Sequence, residues 1–410
     1  MLPVMLLGIF EALVPLPMWG QDPMAGQPKK MTAGSPPPSS GELSRSIDLS
    51  ADYLQRACAK DGRFLYSITS DSRQISATYN IIRHAGAIYS LGIFNRFHPD
   101  PKAVDAMARA GKFLQTRHID ADRRHKDMLV VWAKPLTRRQ PREAYLGAAG
   151  LGLVALAEIR RVRPNAVTLE DLQALGRFLV FLQKNDGSFY LKYLEDSGPV
   201  ADYQELYYPG EAALGLISLY ELDHRGEWLV AAGKALSYLA QSRAGSQDVP
   251  PDDWALIATA RLLPYCKQAK CPVSQAKLVR HAVQICQTLL KRQITSASPV
   301  LDGGFDPDGS TSPAATSLEG LLSALEFLPS DQKELRARIE VAVERGVNFL
   351  LRAQIKSGPF AGGMPAEAFG GDSGAAQHDP AASEVRIDYV QHALCALLRY
   401  EQLKRNGKLR

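Results

Sequence analysis

The chain has 410 residues, of which 46% are hydrophobic and 22% charged, enough apolar matter for a large core. Disorder over the whole length is thereby excluded. A formal net charge of +5 is dilute over this length, and its clusters are only Arg123-Arg124-His125-Lys126 and Arg138-Arg139, so no nucleic-acid partner is expected.

Residues 1–10 are almost wholly apolar and residues 13–19 continue that character, broken by Glu11, Pro15 and Pro17. This run is too interrupted to satisfy the roughly twenty-residue criterion for a spanning helix. Residues 1–20 are therefore expected to be an export signal or an N-terminal anchor, placing the body in the periplasm, free or tethered to the membrane. Residues 21–46, with Gly34-Ser35-Pro36-Pro37-Pro38-Ser39-Ser40-Gly41, are expected to be a flexible linker to a domain over 47–405.

Two kinds of helix follow in alternation. Amphipathic helices with apolar residues at three and four spacing are expected over 49–65, 103–114, 169–183, 228–241, 276–293 and 335–354. Several end alike, as in Phe113-Leu114-Gln115, Phe181-Leu182-Gln183 and Tyr238-Leu239-Ala240-Gln241. Glycine turns with an aromatic come after some of them: Asp186-Gly187-Ser188-Phe189, Gly303-Gly304-Phe305 and Ser357-Gly358-Pro359-Phe360. Between them lie helices rich in small residues, each introduced by a polar cluster, over 79–91, 142–156, 207–220, 251–263, 315–328 and 385–400. Small residues let helices crowd an axis while the amphipathic set covers them with one face in water, so the alternation predicts a closed ring of six helical hairpins. An open solenoid of helix pairs fits the same pattern. Period-two alternation is nearly absent, so β structure should be minor.

The fragments Tyr79-Asn80-x-x-Arg83-His84-Ala85-Gly86, Tyr208-Pro209-Gly210-Glu211-Ala212 and Arg386-Ile387-Asp388-Tyr389-x-Gln391-His392 resemble those of exported bacterial proteins with the all-α (α/α)6 toroid. That architecture is shared by many carbohydrate-active enzymes and by the terpene cyclase and prenyltransferase group. The resemblance spans residues 47–405 and implies a fold rather than a reaction. The D-x-D-D acid of squalene-type cyclases and the zinc-binding Asp, Cys and His of prenyltransferases are both absent, so likeness to that branch is architectural.

In a closed ring the starts of the inner helices meet at one mouth, and polar residues far apart in sequence converge there. Glu211, Asp253, Asp388 and Glu319 are the candidate catalytic acids. Asn80, Arg83, His84, Tyr208, Asp252, Trp254, Arg386, Tyr389, Gln391 and His392 are the candidate substrate-binding residues. Carboxylic acids to move protons, aromatic rings to stack on pyranose faces and planar groups to bond hydroxyls are what a sugar site needs. Arg83 and Arg386 could take a substrate carboxylate as a fork. Each residue also has a plainer reading. Asp252 or Asp253 suits an N-cap, Glu211 suits the first turn of a helix, and the histidines and aromatics suit a satisfied core.

No P-loop, dinucleotide fingerprint, nucleophile elbow or H-E-x-x-H occurs, and Asp302-Gly303-Gly304-Phe305-Asp306-Pro307-Asp308-Gly309 lacks the closing Glu of a calcium loop. Neither metal nor cofactor is expected. Cys266 and Cys271 flank a loop-like stretch and either bridge locally or remain thiols. The leading expectation is an exported enzyme that cleaves or modifies a polysaccharide or oligosaccharide, by hydrolysis or by lyase or epimerase chemistry on a uronic-acid-containing glycan. The alternatives are a non-catalytic assembly protein, with every mouth carboxylate paired, and a terpenoid-cyclase-like enzyme, with an aromatic, uncharged chamber.

Overall fold

Burial separates the two kinds of helix. The computed structural model describes residues 37–134, 142–266, 273–296, 298–368 and 381–409. Within them the chain runs α1 (Ser40–Ala57), β1 (Ser67–Thr69), α2 (Ile81–Phe97), α3 (Pro101–His118), β2 (Ile119–Ala121), β3 (Leu129–Val131), β4 (Glu143–Tyr145), α4 (Leu146–Val162), α5 (Leu169–Phe181), β5 (Lys192–Leu194), β6 (Gly198–Val200), α6 (Tyr208–Asp223), α7 (Gly226–Ser242), α8 (Asp253–Cys266), α9 (Gln275–Arg292), α10 (Thr311–Phe327), α11 (Lys333–Ala353), β7 (Glu384–Arg386) and α12 (Ile387–Arg405). The even-numbered helices are the small-residue set and are buried nearly all round. In α4 every residue from Leu146 to Ile159 is buried. The odd-numbered helices bury one stripe, as Leu278, His281, Ala282, Ile285, Cys286 and Leu289 do in α9.

Each even-numbered helix packs against the next, and α12 packs against α2. That last contact closes the ring and removes the open solenoid. The ends of the chain reinforce it: β1 pairs antiparallel with β7, Ser67 opposite Arg386, and the Gln354 amide donates to Ser46 O and Ser50 Oγ of α1 at 2.9 and 2.8 Å. The strands are all three residues long and sit between helices, in two two-stranded sheets and one of three strands. The fold is the all-α (α/α)6 toroid, with minor β.

The repeated Leu-Gln endings have a structural purpose. Gln183 donates to Gly187 O and to Ala231 O of α7, and Gln293 donates to Gly303 O and to Ala342 O of α11. Each glutamine thus ties the end of one outer helix to the backbone of the next. Gly187 and Gly303 hold positive φ of 93° and 89° and press against the backbone carbonyls of Lys234 and Arg345, where a Cβ would not fit. In the last of the three turns the corresponding close approach belongs to Gly362, against Leu49 O, and not to Gly358.

The bounds of α1 differ most from expectation. Helix α1 begins at Ser40, inside the segment read as linker, and ends at Ala57, short of Leu65. Ser39 Oγ accepts from Glu42 N at 3.2 Å, a Ser-x-x-Glu start that the surrounding Pro, Gly and Ser obscure in a composition count. Leu43, Ser46 and Ile47 are buried, so this turn belongs to the domain. Residues 1–36 and Cys271 lie outside the described residues, and with them the signal or anchor and the disulfide expectation. No helix among the described residues is long and apolar enough to cross a membrane.

Candidate active site

The first turns of five inner helices line one cavity of about 460 Å³. Asn80, Arg83, Tyr208, Glu211, Asp253, Trp254, Arg386, Asp388, Gln391 and His392 all contribute to its wall. The convergence expected from the sequence is therefore real for Arg83, Glu211, Asp253 and Arg386 together. The volume falls within the ~300–1,000 Å³ usual for small-molecule sites.

Close helix packing fixes the acids. Where α4 crosses α6, a Cβ on Gly150 would stand 2.7 Å from Glu211 C and O and from Ala212 N. The Glu211 carboxyl lies over Gly147, beside the Tyr208 ring. Glu211 is buried, and its Oε2 has no hydrogen-bond partner. Burial, with the charges of Glu205 and Asp252 adding to it, pushes the Glu211 carboxyl up to about 8. Asp253 opens α8 against Gly320 of α10. Its Oδ2 is likewise buried and without a partner. Burial raises its affinity for a proton well above the ordinary carboxylate range; Glu319 and Asp252 add to the rise, and His392 opposes it.

His392 faces the same cavity from α12. Its Nδ1 lies 2.6 Å from Glu319 Oε1. Burial alone would lower its proton affinity, but Glu319, then Asp253 and Asp388, outweigh burial and raise it. The Trp254 ring stands edge-on to His392 at 6.1 Å. Gln391 packs over Gly86 of α2, its Nε2 buried without a partner.

Asp388 is saturated by contrast. Arg83 Nε lies 3.0 Å from its Oδ2, while Arg386 donates through Nε at 2.7 Å and Nη2 at 3.0 Å. Arg83 also donates to the Tyr66 hydroxyl. The two arginines expected to fork a substrate carboxylate are thus spent on an internal one. Asn80 caps α2, its Oδ1 accepting from Ile82 N at 2.8 Å, while still lining the cavity.

Four expected site residues stand behind the wall. Asp252 is fully buried; its Oδ2 accepts from Arg243 at 2.8 Å and its Oδ1 from Ala255 N at 3.0 Å, so it is an N-cap and ion-pair residue. Glu319 supports His392 from below. The Tyr389 hydroxyl donates to Glu384 at 3.1 Å, under the Arg386 guanidinium. His84 is fully buried among Phe64, Tyr79 and Phe113, and burial lowers its pKa to about 3. The neutral ring donates from Nε2 to Ala110 O at 3.0 Å and accepts at Nδ1 from the Tyr79 hydroxyl at 2.7 Å. Phe64 N in turn donates to that hydroxyl at 3.1 Å, which completes a structural bracket.

Glu205 and Arg292 also line the cavity, although the sequence does not mark them. Glu205 precedes α6 in a loop, and Arg292 is the last residue of the outer helix α9. Outer helices run back toward the mouth, so their C-terminal ends reach it as the inner N-terminal ends do. Tyr145 and Tyr203 cluster with Tyr208 of the cavity wall, with ring centres 5.5 to 6.4 Å apart, and the Lys192 ammonium lies over the Tyr145 and Tyr203 rings. Among the described residues no group of three His, Cys, Asp or Glu side chains is arranged to hold a metal ion.

The lining defines an acid-rich polar pocket in a helical toroid. The unpaired Glu211 and Asp253 differ from the fully paired mouth of a scaffold, and the charged wall differs from a terpenoid chamber. No family model matches the chain, and no curated protein matches it. Solved structures do. A D-mannose isomerase is 15% identical over 90% of this chain and 98% of its own, with a TM-score of 0.64. The cellobiose 2-epimerase from Spirochaeta thermophila is 15% identical over 89% and 97%, with a TM-score of 0.63. The GH76A alpha-1,6-mannanase from Salegentibacter sp. HEL1_6 is 12% identical over 88% and 99%, with a TM-score of 0.60. The chain shares the (α/α)6 toroid of these carbohydrate-active enzymes.

Proposed function

We propose that the protein is a carbohydrate-active enzyme that cleaves a glycosidic bond in a polysaccharide or oligosaccharide by acid/base catalysis. The observation that carries this reading is Glu211: a buried, unpartnered carboxyl on the cavity wall whose pKa of about 8 keeps its proton at neutral pH. Such a group is a general acid, able to protonate the leaving oxygen of a glycoside. Asp253, on the neighbouring inner helix α8 and with its Oδ2 also unpartnered, is its partner as base or nucleophile, the nearby His392 charge favouring its ionised form against burial. Trp254, Tyr208, Gln391 and Asn80 supply ring faces and amide groups for the sugar. The cluster of Tyr145 and Tyr203 with Tyr208 continues the aromatic surface beside the cavity and suits a chain longer than one residue.

A second reading, sugar epimerisation or isomerisation, is favoured by His392, which faces the cavity and is held by Glu319. Its raised proton affinity suits an imidazolium that donates to a carbonyl oxygen better than a base that abstracts a proton. The neighbours named isomerase, epimerase and mannanase support a sugar substrate and fit either chemistry. We place the enzyme outside the cytoplasm, free in the periplasm or held at the membrane by residues 1–20, on the apolar character of that segment. Residues 21–36 serve as the remaining linker in this reading.

The test is a screen of purified protein against neutral and uronic-acid-containing glycans, reading both released reducing ends and epimer composition, with Glu211→Gln and Asp253→Asn alongside. Removing a general acid or base should lower turnover by roughly 10²–10⁴-fold. Activity unaltered by both substitutions would refute the assignment. A change of epimer without cleavage would select the second reading.

A further inference from the structure

Of the three arginines on the cavity wall, two are consumed by Asp388. The third, Arg292, is half-buried, and among the described residues no hydrogen bond or ion pair holds its guanidinium. Tyr207 and Asp306 feel its charge, and among the described residues no carboxylate is ion-paired with it. As the last residue of α9 it also suits the helix dipole, a role that a lysine would serve as well. The first two turns of α10 add Ser312, Thr316 and Ser317 to the same wall. Ser310, which precedes that helix, makes no side-chain cap bond; its N–H and hydroxyl both donate to Asp308 Oδ1, so preference for an anion rests with Arg292 and not with this helix end.

A planar guanidinium matches a carboxylate or a phosphate with two parallel N–H bonds and stays charged at every working pH. Leaving it half-desolvated without a partner is unfavourable until an anion arrives. We propose that Arg292 reads an anionic group on the sugar, so that the substrate is an acidic glycan carrying a carboxylate or a phosphate ester. This rests on the sugar-directed reading of the cavity and names the substrate class within it. The division of labour is then plain. Arg83 and Arg386 shape the wall by holding Asp388, Glu211 and Asp253 handle protons, and Arg292 selects the charged ring.

Calorimetric binding of glucuronate, galacturonate and mannuronate, of the corresponding hexose 6-phosphates and of the neutral hexoses tests this, using the whole protein and its Arg292→Gln and Arg292→Lys variants. Among the described residues the Arg292 guanidinium makes no hydrogen bond or ion pair, and thermal melts of both variants check that they fold. At least one acidic sugar is expected to bind tenfold or more tightly than its neutral counterpart. In Arg292→Gln the ratio of acidic to neutral affinity should fall toward one, and Arg292→Lys should restore part of it. Which acidic series shows the preference identifies the anionic group. Equal binding of acidic and neutral sugars by the unaltered protein overturns the inference and leaves the sugar reading standing, as does a preference that survives in Arg292→Gln. Binding of no sugar of any kind would overturn both.

Discussion

Glu211→Gln is the most discriminating perturbation of the fold itself. The substitution replaces a carboxyl that has no partner for Oε2 by an uncharged group of the same shape. In the unfolded chain Glu211 titrates near its ordinary value of 4.5, whereas in the folded protein burial holds it at about 8. Below 4.5 both states are protonated and the residue costs nothing. As pH rises from 4.5 to 8 the unfolded chain releases its proton and the folded one retains it, so stability is lost across that window. At 1.36 kcal/mol per pKa unit, the loss between pH 5 and pH 7 comes to about 2–3 kcal/mol. The glutamine variant lacks this slope. Urea unfolding of both proteins at pH 5, 6, 7 and 8 measures it. The variant should be comparable to the parent at pH 5 and more stable by about 2–3 kcal/mol at pH 7. Parallel pH profiles, or a variant less stable at pH 7, would refute the claim that this carboxyl is buried uncompensated.

Neighbouring aspartates should behave oppositely. Asp252→Asn strands the buried Arg243 charge and is expected to cost about 3–5 kcal/mol in denaturation, whereas Asp253→Asn removes a carboxyl whose charge burial disfavours, so it should raise stability at pH 7 in the same direction as Glu211→Gln while removing turnover. Gly150→Ala forces a methyl group into the α6 backbone at Glu211, and a loss of about 1–3 kcal/mol is expected, together with reduced activity; a neutral outcome would show that α4 and α6 can separate freely. Proton NMR titration of the histidines should find His392 above 6.5, and His84 and His281 near 3. Glu319→Gln should bring His392 down, because the carboxylate that offsets its burial is gone.

The ring was legible because its physics is periodic. Small residues such as Gly147, Gly150, Gly210 and Gly215 recur where inner helices meet, and the glutamine-glycine endings recur where outer helices join. The meeting of Arg83, Glu211, Asp253 and Arg386 followed from that closure alone. Direction around each helix was harder to read. His84 and Arg83 are adjacent in α2, yet one points outward to Ala110 of α3 and the other lines the cavity. Asp252 and Asp253 are adjacent too, and a cap turn sends only the second inward. Arg292 and Glu205 carry no mark in the sequence because they lie on an outer-helix end and a connection, which reach the same mouth as the inner-helix starts. Pairing is also invisible in sequence, so Arg83 and Arg386 read as free cations until Asp388 is placed between them.

The proposed catalysis rests on a proton held by Glu211 at neutral pH and delivered to a sugar. The pH dependence of kcat/KM, measured on whichever glycan the screen identifies, tests it directly. A decline in rate as pH rises through about 8, absent from the residual activity of Glu211→Gln, is the predicted result. A rate that climbs or stays level through that pH would contradict Glu211 as the acid.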